Sequence, residues 1–456
     1  MKLSNTILLI AFAIVGLTSC DRLLEFEPGD VILAEDAIQD TDDLQRLLVS
    51  NYDVVANLYG GRVQIVNELR GPNFGSPDNS LDFTAVYNRE TTFFTGINGG
   101  IYTDFYYAIY RSNVVIKNFD IVSDLSDADR TRLEAEARFI RSICHWGAVK
   151  MFARPYGYTP DNSHPGVPLR IAPSQDPLPR ASVGDVYAQI LEDLTFAASN
   201  LPIENGVYAT QDAANAYLAQ VHYLMGNYAE AAEYASSVIN TGRYTLDTDL
   251  DRFETDLINS ETIFGIVSMP NDFRSSWYRD NLRSDNNPTP QLAFSEDFAF
   301  FMSLSGGGDA RSSWYTAGSR ALVNRFNGKE YFNVPLVHLT MLHLIRAECY
   351  GELGSNLQTA IADINAIRDR AFGAGNNPLD ETATADEIVT AAREEFRKET
   401  ACEGHWTDQL LRHGAIEGEN VTIRDASWDC PGMSLQFSNT ESTVQGFELN
   451  EEGGCL

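Results

Sequence analysis

The stretch 218-LAQVHYLMGNYAEA-231 holds the pattern that decides the fold class of this 456-residue chain. Its apolar residues predict two short helices joined by a tight turn. Small Ala219 lets the paired helices approach each other, Gly226 ends the first helix, and Tyr228 fills the corner between them. Ala231 then accepts the neighbouring helix. The stretch therefore predicts a helical hairpin.

A second and looser copy of this pattern lies further along the chain. It contains Ala347, Tyr350, Gly354, Ala360 and Ile364. Hairpins that recur in this way are typical of tetratricopeptide-like folds, in which neighbouring pairs stack on one another. The two copies predict a mainly α fold built on tetratricopeptide-like hairpins.

Apolar residues at helical spacing also mark the N-terminal half of the chain. Between its first two helices, a segment rich in Gly, Pro and Asn predicts a loop that extends to Gly100. The prolines from Pro155 to Pro179 predict a further extended segment. The predicted helices are 41–59, 102–119, about 128–152 with Asp127 as its cap, and 183–200.

The first nineteen residues predict export from the cytoplasm. Lys2 is followed by an apolar run and then by Leu17-Thr18-Ser19 before Cys20, which is the order of a signal peptide. The run is too short to span a bilayer, which needs about 20 apolar residues. The residues before Cys20 resemble the lipobox of bacterial lipoproteins, so Cys20 is expected to carry a lipid that anchors the chain to a membrane.

One large unit is expected after this segment, because no long Ser-, Gly- or Pro-rich linker divides the chain. The region 245–335 lacks a helical period and predicts loops, with a short strand at 262–267. The predicted organisation is a signal peptide at 1–19, a lipidated tether at 20–30 and one domain at 31–456, with helical hairpins at about 40–240 and 335–414, the loop-rich insert at about 245–335 and a nonhelical tail at 415–456.

The charge of the chain argues against nucleic acid as a partner. Sixty-four acidic residues face 33 basic ones, for a net charge of −31 that is spread along the chain. A phosphate backbone requires clustered Lys and Arg, and no basic run occurs. The acidity is interpreted as a contribution to solubility.

Cysteine spacing excludes the usual zinc sites, because no two cysteines form a CxxC pair. Cys144, Cys349 and Cys402 lie in apolar helical stretches and are expected to be small buried hydrophobic residues. Cys430 and Cys455 lie in the nonhelical tail. An exported setting permits a disulfide between them, and the sequence leaves the pairing open.

Catalytic and metal-binding motifs are missing from the sequence. There is no GxSxG, HExxH, P-loop or GxGxxG pattern, and the seven histidines are scattered. His338 and His343 are five residues apart and do not share a helix face well. Asp247, Asp249 and Asp251 imitate the start of a calcium loop, but the required glycine and bidentate acid are absent. No metal, cofactor or enzymatic activity is expected.

Motifs distributed over nearly the whole chain resemble the SusD/RagB outer-membrane nutrient-uptake lipoproteins. The most specific are Leu344-Ile345-Arg346-Ala347-Glu348, the set Asn365, Ile367, Arg368, Arg370 and Ala371, and the set Arg397, Glu399, Ala401, Glu403 and Gly404. The resemblance implies a mostly helical lipoprotein on the outer membrane, facing the exterior as the lid of a SusC-like TonB-dependent transporter. Such a protein would bind oligosaccharides or peptides and pass them to that transporter.

Exposed aromatic rings beside amides and carboxylates are the expected ligand-binding groups, because a sugar presents CH faces to a ring and hydroxyls to polar groups. Such sites are expected on loops, and Asp280, Asn281, Asp285, Asn286 and Asp309 supply polar groups near the rings. The candidate rings are Tyr87, Trp277, Tyr278, Trp314 and Tyr315.

Acids and bases that alternate in the C-terminal helices could suggest an active site. The favoured interpretation is that they form buried ion pairs that set how neighbouring hairpins register. This set is Arg346, Glu348, Arg368, Arg370, Glu399, Glu403 and Arg412.

Oligosaccharide capture is the favoured function, and three alternatives stay open. One is peptide capture by a lid of the same transporter type. Another is a secreted glycoside hydrolase, which would need two carboxylates about 5 to 10 Å apart. The last is a tetratricopeptide scaffold with only protein partners.

Overall fold

The computed structural model describes residues 38–174, 176–256, 258–286, 289–306 and 308–455. This part of the chain is mainly helical, which confirms the predicted fold class. The longer helices are α1 (Thr41–Tyr59), α4 (Gly96–Lys117), α5 (Asp127–Phe152), α6 (Val183–Asn200), α7 (Gln211–Leu224), α8 (Tyr228–Ile239), α11 (Leu339–Glu352), α12 (Leu357–Phe372), α13 (Ala385–Glu399) and α14 (Trp406–Ala415). The shorter ones are α2 (Arg62–Arg70), α3 (Leu81–Tyr87), α9 (Ser276–Leu282) and α10 (Glu296–Ser303).

The long N-terminal helices pack against one another, with α5 in contact with α4 and α6. The helices predicted at 41–59 and 183–200 are confirmed. The predicted cap of α5 is wrong by one residue. Ser126, not Asp127, is the N-cap, because its hydroxyl accepts a hydrogen bond from the Asp129 N–H and leaves Asp127 in the first turn, where an acid favours the helix dipole.

The two hairpins of the fold-deciding pattern are α7–α8 and α11–α12. Gly226 has a φ of 77° and Gly354 a φ of 58°, a left-handed conformation that glycine adopts without steric cost after a helix. Ala219, Ala231 and Ala360 are fully buried. Their small side chains allow the close helix approach that the sequence pattern predicts.

Two segments predicted as loops contain short helices. The segment before Gly100 holds α2 and α3, and the insert holds α9 and α10. These helices are seven to nine residues long, too short to be stable alone in water. They form because the surrounding structure packs against them, as in α2, where seven of the nine residues are buried. Without a single apolar stripe, their sequences lack the periodic signal.

Strand structure is limited to three two-stranded antiparallel sheets in the described residues. The largest pairs β1 (Thr262–Ile266) with β4 (Val334–His338), which confirms a strand in the insert. The other two are β2 (Tyr315–Thr316) with β3 (Leu322–Val323), and β5 (Thr422–Ile423) with β6 (Ala426–Ser427). One large hydrophobic core extends from Leu44 in α1 to Phe447 in the tail.

Buried ion pairs join the insert to the C-terminal helices. Glu399 on α13 accepts hydrogen bonds from Arg252 at 2.9 Å, Arg311 at 3.0 Å and Arg370 at 2.8 Å. Burial by itself would raise the pKa of Glu399, but the charges of the three guanidinium groups outweigh burial and hold this pKa below its ordinary value. Glu399 therefore ties two parts of the insert to α12 and α13.

A second cluster of buried ion pairs lies around α11 and α14. Glu348 accepts hydrogen bonds from Arg412 at 2.5 Å and from Arg393 at 2.8 Å. Burial favours a higher pKa, but Arg412 and Arg393 lower the pKa of Glu348 to about 2. The prediction that the alternating acids and bases form structural ion pairs is confirmed for these residues.

The C-terminal tail is fastened covalently, since Cys430 and Cys455 form a disulfide with Cα atoms 5.2 Å apart. Cys144, Cys349 and Cys402 are free and buried. The prediction that Cys402 lies in a helical stretch is wrong. This residue lies in a turn after α13 with a φ of 71°.

The predicted signal peptide, Cys20 and the tether lie outside the described residues. In the part of the chain that the structure does describe, none of the helices is both long and apolar enough to span a membrane.

Candidate functional site

An open cleft of about 460 Å³ lies where α2, α3 and the start of α4 face α9. Its volume is within the usual range for small-molecule sites. Its walls are Arg62, Ser80, Asp82, Phe83, Gly96, Ile97, Gly100, Ser276, Trp277, Asp280, Asn281 and Gln291. The cleft thus brings residues from the two predicted loop regions together.

Aromatic rings form one part of this wall. Trp277 on α9 is half-buried and packs edge-on against Phe83 of α3, with ring centroids 6.2 Å apart and an interplanar angle of 60°. Phe83 itself is buried. This contact supports the indole from behind while part of its surface stays open to the cleft.

Polar groups on α3 and α2 form the facing wall. Asp82 accepts hydrogen bonds from the Ile97 N–H at 2.8 Å and the Gly96 N–H at 3.3 Å. The carboxylate thereby caps α4, whose own N-cap residue makes no side-chain capping bond. Arg62 donates a hydrogen bond to Asp104 of α4. Both side chains are therefore fixed in place.

The exposed end of α9 adds a second carboxylate and an amide. The Asp280 side chain is 58% exposed and accepts a hydrogen bond from Arg279 at 2.7 Å. Asn281 donates from its amide to the Trp277 carbonyl at 2.8 Å. One short helix thus places a ring, an acid and an amide in the same cleft.

Two glycines position this helix. A Cβ on Gly60 would lie 1.8 Å from the carbonyl oxygen of Arg274, and a Cβ on Gly61 would lie 2.7 Å from the Tyr278 ring. Gly61 also has a φ of 119°, a conformation that favours glycine. The turn between α1 and α2 is therefore the surface against which α9 and the residues just before it pack.

The structure separates the five aromatic candidates. Trp277 lines the cleft, whereas its neighbour Tyr278 is fully buried and donates its hydroxyl to the Cys402 carbonyl at 2.9 Å. Tyr278 is packed among Phe253, Phe326 and other rings of the core. The prediction of an exposed ring at Tyr278 is wrong, because adjacent residues of a helix point to different sides.

Trp314 and Tyr315 lie away from this cleft. Trp314 is 6% exposed, and the guanidinium of Arg325 stacks 3.9 Å from its ring centroid. It borders a separate cavity of about 410 Å³. Tyr315 donates its hydroxyl to the Ala299 carbonyl at 3.0 Å. The burial of Trp314 contradicts its prediction as an exposed platform.

Tyr87, the fifth candidate, ends α3 and is half-buried. The guanidinium of Arg424 lies 4.1 Å from its ring centroid. The ring does not line the cleft. Tyr87, Trp277 and Tyr278 also lie on short helices, not in the irregular segments that the sequence predicts.

One group of possible metal ligands occurs in the described residues, formed by Glu348, His413 and Glu417. Arg412 donates hydrogen bonds to both carboxylates, at 2.5 Å to Glu348 and 2.8 Å to Glu417. Burial lowers the pKa of His413 to about 4. Guanidinium groups therefore balance these acids, and the group is structural.

Comparisons with known proteins agree with this architecture. A family model described as "Starch-binding associating with outer membrane" matches residues 33–224, and the SusD family model matches residues 324–447. The chain belongs to the SusD family. Two SusD-like proteins of Formosa agariphila are 23% and 24% identical to it and align over 91% and 89% of this chain and 91% and 90% of their own.

Solved structures share the fold of this SusD-like protein. A SusD superfamily protein from Bacteroides vulgatus superposes with a TM-score of 0.80 at 18% identity, covering 91% of this chain and 99% of its own. A laminarin-binding SusD-like protein superposes with a TM-score of 0.71 at 20% identity, covering 91% of this chain and 99% of its own.

Sequence reasoning missed half of the SusD-like cleft. Arg62, Asp82 and Phe83 carry no recognisable motif and lie far from α9 in the chain, and Gln291, although it follows α9 closely, carries no motif either. The available signal was the Gly60-Gly61 pair, which marks a close backbone approach. Trp277 and Asp280 lie between the two ranges that the family models match.

Replacing Gly60 with alanine is expected to lower the free energy of unfolding by about 1–3 kcal/mol, because the new methyl group overlaps the Arg274 backbone. Urea unfolding measures this loss. Hydrogen exchange of the α9 amides should also become faster, since α9 must move away from the α1–α2 turn.

Gly99→Ala is the matched control. Its Cβ would meet only the Ser438 side chain at 3.7 Å, an ordinary contact, and alanine favours the helical interior. Equal losses of unfolding free energy in the two variants would contradict the conclusion that the α1–α2 turn positions α9.

Proposed function

We propose that this SusD-like protein captures oligosaccharides in the cleft at Trp277 and is not an enzyme. The observation that carries the proposal is a partly open indole beside fixed hydrogen-bonding groups. A pyranose ring has apolar CH faces that stack on an aromatic ring, and hydroxyls that both donate and accept hydrogen bonds. Trp277 suits the first, while Asp280 and Arg62 suit the second.

The openness of the cleft supports an oligosaccharide rather than a small enclosed metabolite. Asp280 is more exposed than buried, and Ser80 and Gly96 line the rim. A chain can therefore extend beyond the cleft while one sugar residue lies on the indole. Exposed apolar side chains next to the rim, Leu81 at 91% and Phe94 at 80%, offer further contact area.

The comparisons supply independent support. The model that matches the N-terminal part describes its family as starch-binding, and a structural relative is named for laminarin binding. Starch and laminarin are both polymers of sugars.

We further propose a location and a partner. The predicted lipid on Cys20 would hold the protein on the outer membrane, facing the exterior, and residues 20–30 would act as a tether of about 3.3 Å per extended residue. The family's description at the outer membrane supports this placement. The partner would be a SusC-like TonB-dependent transporter, to which the protein delivers its ligand.

The geometry gives little support to glycoside hydrolysis. A general acid needs a carboxyl group whose surroundings keep it protonated. Asp82 accepts two backbone N–H bonds at the start of α4, and Asp280 is exposed beside Arg279. Neither group lies in the apolar pocket that such an acid requires.

Calorimetry with a panel of glycans and peptides tests the proposal. At least one oligosaccharide should bind, and Trp277→Ala should weaken this binding roughly 10- to 100-fold, because an aromatic contact contributes on the order of 1–3 kcal/mol. Trp314→Phe is the control, since Trp314 packs on Arg325 outside the cleft. Its affinity should match that of the unmodified protein.

Other results would favour the other functions. Unchanged glycan affinity in Trp277→Ala would remove the ligand from this cleft. Binding of peptides alone would favour the peptide lid, and release of reducing sugar would favour a hydrolase. A melting temperature that no ligand raises would favour a protein-binding scaffold, because a ligand stabilises the state it binds.

A further inference from the structure

The charged groups of the cleft are unevenly distributed. Among the described residues of its lining, Asp82 and Asp280 are acidic, and Arg62 is the one cation. The arginines next to the cleft are already in ion pairs. Arg279 binds Asp280 at 2.7 Å. Arg320, which donates to the Gln291 carbonyl, also binds Asp78 at 2.5 Å.

The single lining cation is already occupied. Arg62 donates from Nη2 to Asp104, and its Nε is buried out of reach of a ligand. A Cβ on Gly100 would lie 3.6 Å from Nη1, so α4 confines the guanidinium on that side. An anionic group of a ligand would have to compete with Asp104 for this guanidinium.

One of the two carboxylates is fixed in place by backbone hydrogen bonds. Asp82 is held by the Gly96 and Ile97 N–H groups, and losing these bonds would uncap α4. Asp280 also lines the cleft, with a side chain that is 58% exposed. Asp82 has no cationic partner among the described residues, and Asp280 stays exposed on the cleft side of α9 although Arg279 pairs with it. The acids therefore outnumber the cations of the lining, and a concave surface of one sign concentrates the field on a ligand.

We propose that this cleft selects neutral oligosaccharides and rejects uronate- or sulfate-bearing ones, with Asp280 as the specificity-determining residue. The inference rests on the proposed oligosaccharide binding. A neutral sugar can donate its hydroxyls to the two carboxylates, whereas an anionic substituent meets like charges and finds Arg62 and Arg279 already paired with Asp104 and Asp280. Discrimination of this kind arises from the repulsive element as much as from the attractive one.

Matched probes test the inference. Maltohexaose and laminarihexaose are compared with the same hexasaccharides in which one residue is oxidised to glucuronate. At about 0.05 M salt, the neutral form of whichever glycan binds should bind at least roughly tenfold tighter. At about 0.5 M salt the ratio should shrink, because a shorter Debye length screens exposed charges.

Asp280→Asn should lower the ratio of neutral to oxidised affinity several-fold at low salt, because it removes the exposed like charge. Asp120→Asn is the control. It removes the same charge from the net total, but Asp120 follows the opposite end of α4 and is 80% exposed. This control should keep the ratio of the unmodified protein.

Each contrary result overturns a defined statement. Oxidised probes that bind as tightly as neutral ones would overturn the selectivity, while oligosaccharide binding itself would stand. A ratio that falls equally in both variants would overturn the role of Asp280 and assign the effect to net charge. Failure of every oligosaccharide to bind would overturn the proposed function, and the inference with it.

Discussion

Replacing Arg311 with methionine is expected to lower the free energy of unfolding by roughly 3–5 kcal/mol, the usual loss when one partner of a buried ion pair is removed. Arg311 is fully buried and donates to Asp309 at 2.8 Å, Glu395 at 2.8 Å and Glu399 at 3.0 Å. Methionine fills much of the space but removes one buried counter-charge from Asp309, Glu395 and Glu399. Urea unfolding of the purified domain measures the loss.

An exposed ion pair gives the matched control for this variant. Arg130 binds Asp120 at 2.9 Å, with side chains 47% and 80% exposed. Arg130→Met should therefore cost less than about 1 kcal/mol. A loss of similar size in Arg311→Met would mean that the buried network contributes no more than a surface pair.

Acidification from pH 7 to pH 4 is expected to lower the free energy of unfolding by several kcal/mol. Burial lowers the pKa of His145 to about 3 and the pKa values of His405 and His413 to about 4. In the unfolded chain these imidazoles return to about 6.5. Between these values the unfolded state binds more protons, so stability is lost as the pH falls.

Glu68 opposes this trend. Burial raises its pKa to about 7, so the folded state binds the extra proton between about pH 7 and pH 4.5, and acidification within this window favours folding. Its shift is no larger than those of the three histidines. Burial also raises the pKa values of other carboxyl groups, namely Glu136, Asp193, Glu352 and Glu441, and lowers the pKa values of His164, His222 and His338. The net expectation remains a loss of stability on the acid side.

His145→Phe isolates one contributor. His145 is fully buried, and its Nδ1 has no hydrogen-bond partner within the part of the chain that the structure describes. Its loss should reduce the slope of unfolding free energy against pH by about 1.4 kcal/mol per unit between pH 6 and pH 4. His222→Phe, at a half-buried site, should change the slope less. An unaltered slope in His145→Phe would contradict the assignment.

The predicted helices show which features a sequence can specify locally. The helix at 41–59 matches α1 because its apolar residues form one stripe and Asp40 caps its start. The hairpin pattern at Ala219 and Gly226 succeeded for the same reason, since small residues and a helix-ending glycine act within a few residues of each other. The alternating acids and bases were also recognisable, because charges in apolar helices must be paired when they are buried.

The candidate site was predictable only in part. Trp277 and Asp280 were found as an aromatic residue and an acid in a polar segment, but Arg62 and Asp82 had no signal of their own. Whether a ring is a platform or a core residue depends on what packs against it, and Trp314 shows this through its stack on Arg325.

The sequence by itself determined the long helices, the hairpins and the expectation of an exported lipoprotein, because these depend on residues close together in the chain. The tertiary structure decided which face of α9 meets water. Trp277 and Tyr278 are neighbours of similar chemistry, yet one lines the cleft and the other is buried. The physical reason is that α9 packs against Gly60 and Gly61, which have no Cβ to prevent the close approach. A helix too short to be stable alone therefore docks there in a single orientation.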